Sequence, residues 1–326
     1  MKAMLVDSQK NLVWSEVEYP TAGDTEVLIE IHAAALNRAD LLQRRGTYPS
    51  PKGCPPWMGL EVAGRITETG RAVTRWKVGD RVCALLGGGG YAEFVAVDEK
   101  MVMPIPKGFD YVKAASLPEA YATCYLNLFL EGQYRPGQTV LFPAGASGLA
   151  SVGIPMAKAF GAYVITTVRS AEQAEKIAHL GADVVINTAC QNAGEVIRAE
   201  AEAGHPVDVA IDCLAGKLLE DSLPHVNEGC RWVLISTLAG TQATIPLRAI
   251  LTKGIQLKGS MLRKRPVEEK GQILSCLTEK VWPLLEQGVI PVTVHKVLPI
   301  AQAEEAHAIL QRGGHVGKVV LQVRQA

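Results

Sequence analysis

The sequence predicts an α/β protein in which a doubly wound parallel sheet of Rossmann type is inserted into a β-rich domain. Three observations predict it. Short apolar runs alternate with helical patterns between about residues 121 and 265, and a Gly-rich turn follows the first run. One more β-like run stands at the far C-terminus, after that alternation has ended. The expected division is 1–120 for the β-rich domain, 121–265 for the parallel sheet, and 266–326 for a segment returning to the first domain.

The central stretch is Thr139-Val-Leu-Phe-Pro-Ala-Gly-Ala-Ser-Gly-Leu-Ala-Ser-Val-Gly153. An apolar strand runs into a turn stripped of side chains, and a helical pattern follows over Ile154 to Phe160. Backbone amides need such a turn to approach a pyrophosphate at a helix N-terminus. The G-x-G-x-x-G/A spacing is met as Gly145-x-Ser147-x-x-Ala150, with Gly148 extra and Leu149 closing the turn. Alone, this loop reads equally as a plain strand-to-helix turn, and its context decides. A second strand is expected at Tyr163 to Thr167, then a helix over Ala171 to Leu180. Further strands are expected at Val184 to Ile186, Val207 to Asp212, Arg231 to Ser236 and Gly254 to Gly259.

Before this sheet, β-like runs stand at Ala3–Val6, Glu26–Ile31, Val62–Ile66, Arg81–Leu85 and Tyr91–Val97, separated by Gly and Pro. The tail offers a helix over Ala301 to Gln311 and a last strand over Lys318 to Val323.

A site selective for NAD places an acid about 20 residues past the first glycine, to hold the ribose 2′-hydroxyl. Here that count reaches Thr167, followed by Arg169 and Ser170, and no acid stands there. A carboxylate would repel a 2′-phosphate, whereas a guanidinium and small hydroxyls bind one. NADPH is therefore the expected cofactor. The bland alternative is a solvated loop arginine.

Composition describes an ordinary soluble enzyme. Lys+Arg and Asp+Glu balance at 33 each, which gives no basic field for nucleic acid or an anionic membrane. No apolar run nears the roughly 20 residues of a bilayer span. The start, Met-Lys-Ala-Met-Leu-Val, lacks the apolar core of a signal peptide. Seven scattered cysteines without a C-x-x-C pair suggest reduced thiols and a cytoplasmic setting.

Several motifs stand in one order: Ala35-Leu-Asn-Arg-Ala-Asp40, Gly46-x-Tyr48, Gly59-Leu-Glu61, Val78-Gly-Asp-Arg-Val82, Gly90-Tyr-Ala-Glu-Phe94 and Gly317-Lys-Val-Val-Leu321. In that order they resemble the medium-chain dehydrogenase/reductase superfamily, with its GroES-like catalytic domain, over essentially the whole chain. The quinone oxidoreductase (zeta-crystallin-like) branch fits best. Gly259-Ser-Met-Leu-Arg-Lys-Arg265 is similar to its tumour-suppressor-inducible subgroup.

The resemblance implies the following roles. Zinc-containing members carry Cys and His where this chain has Asn37 and Leu60, and neither replaces thiolate or imidazole, so no zinc is expected. Asn37 would lie near the nicotinamide and the acceptor oxygen, Tyr48 would donate a phenolic hydrogen bond, and Asp40 would orient the loop or relay a proton. As alternatives, Asp40 caps a helix starting near Leu41, and Tyr48 packs on a proline. Thr123 would approach the cofactor phosphates, and Ser236-Thr237-Leu238 would grip the nicotinamide ribose. Leu262, Arg263 and Lys318 would add contacts. Gln173 and Thr188 stand where the family often has Lys and Tyr, which leaves room for mixed NADPH and NADH use. Pairing of exposed sheet edges implies a homodimer.

Three functions follow from this reading: hydride transfer from NADPH to quinones, the same transfer to enones, or low-turnover NADPH binding. The partner in each case is a small molecule. The seven histidines show no metal spacing, and the Leu-rich helix around Gly271 to Leu285 reads as core.

Overall fold

The computed structural model describes residues 1–324. They form two compact units, one of Met1–Ala122, Leu262–Gly288 and residues 292–324, the other of Thr123–Met261 and Val289–Pro291.

In the first unit, β1 (Lys2–Val6) and β2 (Leu12–Glu16) form an antiparallel hairpin. Strands β3 (Glu26–Ala35), β4 (Glu61–Thr69), β5 (Arg81–Leu85), β6 (Phe94–Asp98) and β7 (Val102–Pro104) follow. Strand β3 reads Glu-Val-Leu-Ile-Glu-Ile-His-Ala-Ala-Ala and is buried over most of its length, because it is paired along much of it. Its first half pairs with β6, and β4 runs along most of it.

The second unit carries β8 (Thr139–Phe142), β9 (Tyr163–Val168), β10 (Val184–Asn187), β11 (Val207–Asp212), β12 (Arg231–Leu234) and β13 (Gln256–Gly259). Their order is β10-β9-β8-β11-β12-β13, and every pairing is parallel. This is the doubly wound order, with its switch point between β8 and β11. Leu141, Ile165, Ile186, Ile197 and Trp232 fill its core. Burying each such side chain contributes roughly 1.5–3 kcal/mol.

The chain then returns to the first unit through β14 (Val294–Pro299) and β15 (Lys318–Gln322). Strand β15 pairs antiparallel with the second half of β3, at Ala33 to Ala35, so the parallel sheet is an insertion as the sequence predicts. The first unit's own sheet runs β14-β15-β3-β4-β5-β7, with β6 also on β3.

The structure shifts several predicted boundaries. The helix after β8 starts at Ala150 instead of Ile154, directly at the Gly-rich turn. Strand β12 stops at Leu234, and β13 begins at Gln256 because Gly254 ends the helix Leu247–Lys253. The strands β2, β7 and β14 are unpredicted. Strands β2 and β7 are short and β14 is mostly exposed, so none of the three carries a clear apolar period. Among the described residues, no helix is long and apolar enough to cross a membrane.

Candidate active site

In the first unit, the sheet order β15-β3-β4 assembles a buried polar cluster. Asn37 follows the end of β3, Glu61 is the first residue of β4, and Lys318 is the first of β15. The two neighbouring strands thus present an acid and a base on either side of one amide. Asn37 Nδ2 donates to Glu61 Oε1 at 2.9 Å, and Lys318 Nζ donates to Asn37 Oδ1 at 2.6 Å. The ammonium also reaches Glu61 Oε1 at 2.8 Å and the Leu36 carbonyl at 2.7 Å. Glu61 and Lys318 are 0% and 5% exposed, so this ion pair is desolvated and needs all those bonds.

Asn37 is also the N-cap of the helix Arg38–Arg45, three residues earlier than predicted from Leu41. Asp40 stands in its first turn, fully buried. Its Oδ2 accepts the Asn37 N–H at 2.7 Å and the Tyr91 hydroxyl at 3.2 Å, and its Oδ1 accepts the Gly59 N–H at 3.1 Å. Burial pushes its pKa to about 6, although these three donors and Lys318 oppose the shift. Gly59 cannot be replaced here. Its φ is +102°, and a Cβ would meet Gly90 Cα at 2.5 Å. That close crossing sets the turn which delivers Glu61 to the cluster.

Beyond Glu61 lies Glu119, whose N–H donates to Glu61 Oε2 at 2.8 Å. The Glu119 carboxyl is half-buried and has no hydrogen-bond partner among the described residues. Burial and the Glu61 carboxylate raise its pKa to about 8. Tyr48 is half-buried beneath the Arg263 guanidinium, 4.7 Å from the ring centroid. Burial raises the Tyr48 pKa, and Glu119 adds to the rise against the pull of Arg263. The phenol is therefore a neutral donor across the physiological range. Arg263 itself is buried, and its donors go to the Gly87 carbonyl at 2.9 Å, the Tyr48 carbonyl at 3.2 Å and Gln43 Oε1 at 2.8 Å. It braces the loop that carries Tyr48. Lys270 is half-buried with its pKa lowered by burial. Leu262 is buried beside Arg263 in sequence.

The second unit holds the Gly-rich turn. The Gly145 N–H donates to the Thr167 carbonyl at 2.7 Å, and the Ala144 N–H donates to Thr167 Oγ1 at 3.0 Å. A Cβ on Gly145 would meet Thr166 Oγ1 at 2.6 Å, so this glycine lets the turn lie against the end of β9. Ser147 Oγ accepts the N–H of Ala150, the first residue of the helix Ala150–Ala159, at 3.1 Å. The amides of Ala146, Gly148 and Leu149 make no hydrogen bond among the described residues. Unpaired amides at a helix start fit a pyrophosphate.

At the end of β9, Arg169 is exposed, and its guanidinium has no partner among the described residues. Its N–H donates to Gln173 Oε1 at 2.9 Å. Ser170 caps the helix Ala171–Ile177 by accepting the Gln173 N–H. Thr188 Oγ1 donates to the Val168 carbonyl at 3.0 Å, so this hydroxyl lies on the same strand end. Thr237 and Leu238 are exposed beyond β12, where the Leu238 N–H donates to the Cys213 carbonyl at 3.1 Å. Thr123 is half-buried, and its carbonyl accepts from Asn127 Nδ2 at 2.7 Å.

Of the sequence-predicted residues, the structure brings Asn37, Asp40 and Lys318 into one network, with Tyr48 and Arg263 as a stacked pair in the same unit. The turn residues, Thr167, Arg169, Ser170 and Thr188 gather around the ends of β8 and β9. Sequence reasoning passed over Glu119, Lys270 and Tyr91. A signal for the first was present: a lone acid in the apolar run Ala114-Ala-Ser-Leu-Pro-Glu-Ala-Tyr-Ala122. Among the described residues, no group of three His, Cys, Asp or Glu side chains is arranged to hold a metal ion.

Comparison with known proteins fits this architecture. The family described as "Alcohol dehydrogenase GroES-like domain" matches residues 23–107, and that described as "Zinc-binding dehydrogenase" matches residues 148–279. The quinone oxidoreductase of Rattus norvegicus is 30% identical over 312 residues, covering 94% of this chain and 92% of the relative. That of Pseudomonas aeruginosa is 31% identical over 304 residues, covering 92% and 91%. The chain belongs to the medium-chain dehydrogenase/reductase superfamily. It is thereby an oxidoreductase, and the resemblance read from the sequence holds at the level of the superfamily. Among solved members, the CurK enoyl reductase superposes with a TM-score of 0.83 at 26% identity, covering 98% of each chain.

Proposed function

We propose that the chain is a zinc-independent reductase that uses NADPH to reduce quinones, working as a homodimer. One observation carries the cofactor reading: three unpaired amides in the Gly-rich turn, flanked at the end of β9 by an unpartnered arginine and no carboxylate. The nearest acid in sequence, Glu172, is paired with Lys176. The turn would hold the pyrophosphate, and Arg169, with Ser170 and Thr188, the 2′-phosphate. Quinone as acceptor is supported by the relatives of that name, which align over nearly the whole chain.

The donor set speaks against zinc in the first unit. Leu60 offers an alkyl group and is buried in the core. The Asn37 oxygen is already taken by an ammonium, which would repel a cation. All seven cysteines are free, which accords with reducing, cytoplasmic surroundings.

Bound NADPH would supply a hydride. The chain's own part is to place and stabilise the charge that hydride creates on the acceptor oxygen. Tyr48 offers a neutral phenolic donor. Asn37 Nδ2 gives one hydrogen to Glu61 and keeps a second to offer. Asp40, Glu61 and Lys318 hold that amide in one orientation.

A second reading, reduction of enones, is favoured by the likeness to an enoyl reductase. NADPH oxidation with quinones and enones assayed in parallel decides between them. Quinone turnover well above enone turnover is expected. The reverse moves the assignment to activated alkenes, and NADPH binding without turnover of either acceptor leaves only a cofactor-binding protein.

A further inference from the structure

We infer that the Glu119 carboxyl is the proton donor of the reaction, giving the acceptor oxygen the proton that accompanies the hydride. This rests on the reductase reading above. Three observations in the first unit carry it. The Glu119 main chain is fixed, its N–H donating to Glu61 Oε2 at 2.8 Å. Its carboxyl is half-buried yet makes no hydrogen bond or ion pair among the described residues, so its own O–H is unspent. The Lys318 ammonium gives it no hydrogen bond, because its three hydrogens go to the Leu36 carbonyl, Asn37 Oδ1 and Glu61 Oε1.

A carboxyl placed beside an ionised, desolvated neighbour is held neutral. The charged and titratable groups facing it come from several elements. They are Glu61 on β4, Asp40 on the helix Arg38–Arg45, Lys318 on β15, Tyr48 and Arg263 from the loops, and Lys270 on the helix Val267–Lys280. Burial and Glu61 raise Glu119 to about 8, Asp40 adds to the rise, and Lys318 and Arg263 oppose it. At neutral pH the group carries its proton.

The step balances. A reduced nicotinamide supplies two electrons and one hydrogen as hydride, leaving negative charge on the acceptor oxygen. The Glu119 O–H bond breaks, the proton bonds to that oxygen, and the electron pair stays on the carboxylate. Water then restores the proton.

The test is a pH profile of kcat for the parent, Glu119→Gln and Glu119→Asp, with infrared difference spectra of the cofactor-free protein. In the parent, kcat should fall as pH rises through about 8. Glu119→Gln should lower kcat about a hundredfold, at the low end for general acid catalysis, and lose that alkaline limb. Its affinity for the reduced nicotinamide should be unchanged, and Glu119→Asp should restore part of both kcat and the limb. At neutral pH the protonated-carboxyl band should be present in the parent and absent from Glu119→Gln. A Gln variant that keeps both kcat and the limb overturns the inference, as does a band that survives the substitution. Should Glu119→Gln not fold, the Asp variant decides by whether the limb persists at a shifted pH. A parent that reduces no acceptor at any pH overturns the reductase reading itself, and that outcome is distinct because the parent, not the variant, is inactive.

Discussion

Arg169 concentrates the cofactor question in one side chain. Its guanidinium is exposed and has no partner among the described residues, which leaves it available to a ligand. Arg169→Ala should weaken NADPH by roughly 1.5–3 kcal/mol, about tenfold to a hundredfold, as for loss of a charge-assisted pair. NADH, which lacks the 2′-phosphate, should be nearly unaffected. Titration of both cofactors checks this, and equal losses would remove Arg169 from the site. Tyr48 concentrates the acceptor question. A quinone takes hydride readily, so one phenolic donor should matter modestly. Tyr48→Phe should lower kcat about tenfold, near 1.4 kcal/mol, with NADPH binding preserved. An enone, whose reduced form spreads its charge less, should suffer more. An unchanged kcat with both acceptors would make Tyr48 a packing residue under Arg263.

At the scale of elements, the helix Ala303–Arg312 carries a flaw that can be measured. His307 is fully buried, 5.9 Å from the Tyr91 ring, and both of its ring nitrogens lack partners among the described residues. Burial, with Arg44 nearby, lowers its pKa to about 4. Above pH 6.5 both the folded and unfolded chains keep this histidine neutral. As pH falls from 6.5 towards 4, only the unfolded chain takes up the proton, so stability is lost through that window. The loss approaches 3 kcal/mol, on the order of 1.4 kcal/mol per pKa unit. Asp40 and Glu119, with raised values, act in the opposite sense, so the informative quantity is a difference between variants. His307→Leu should raise Tm at pH 7, since a buried unpaired polar group costs about 1–3 kcal/mol. It should raise Tm further at pH 5. Thermal melts at the two pH values check this, and a gain that is no larger at pH 5 would show that His307 is not held neutral.

The same scale shows what was legible in the sequence. Most of the parallel strands announce themselves because they are short apolar runs bounded by Gly or a polar turn, and Val207–Asp212 is found at its predicted bounds; the exposed edge strand Gln256–Gly259 is the exception. The return of the tail was legible because Val319 to Leu321 is an apolar run inside Lys318–Gln322. What escaped was any feature made by distant residues meeting. Nothing near Asn37 in sequence says that Glu61 and Lys318 will take both ends of its amide, because β4 and β15 come from opposite ends of the chain. Arg263 illustrates the same limit. By resemblance it points to the cofactor, while the structure spends its donors on Gly87, Tyr48 and Gln43.

For the whole molecule, the open question is what covers the edge of the parallel sheet. Strand β13 ends the order, and all four of its residues are exposed. An uncovered edge offers unpaired N–H and C=O groups to another chain. Leu257 on that strand is 37% exposed, and Leu247 and Leu251 on the helix just before it are 73% and 82% exposed. Large apolar side chains so close to a free edge are costly in water and well suited to burial against an identical copy. Two copies related by a two-fold axis would pair β13 with β13 antiparallel and join two six-stranded sheets into one. Light scattering at micromolar concentration should therefore give twice the chain mass of 34.9 kDa. Leu251→Glu combined with Leu257→Lys places charges on that face and should shift the protein towards monomer, with each subunit still folded by circular dichroism. A parent that is already monomeric at that concentration would refute the pairing. A double variant that remains dimeric would move the interface to another face.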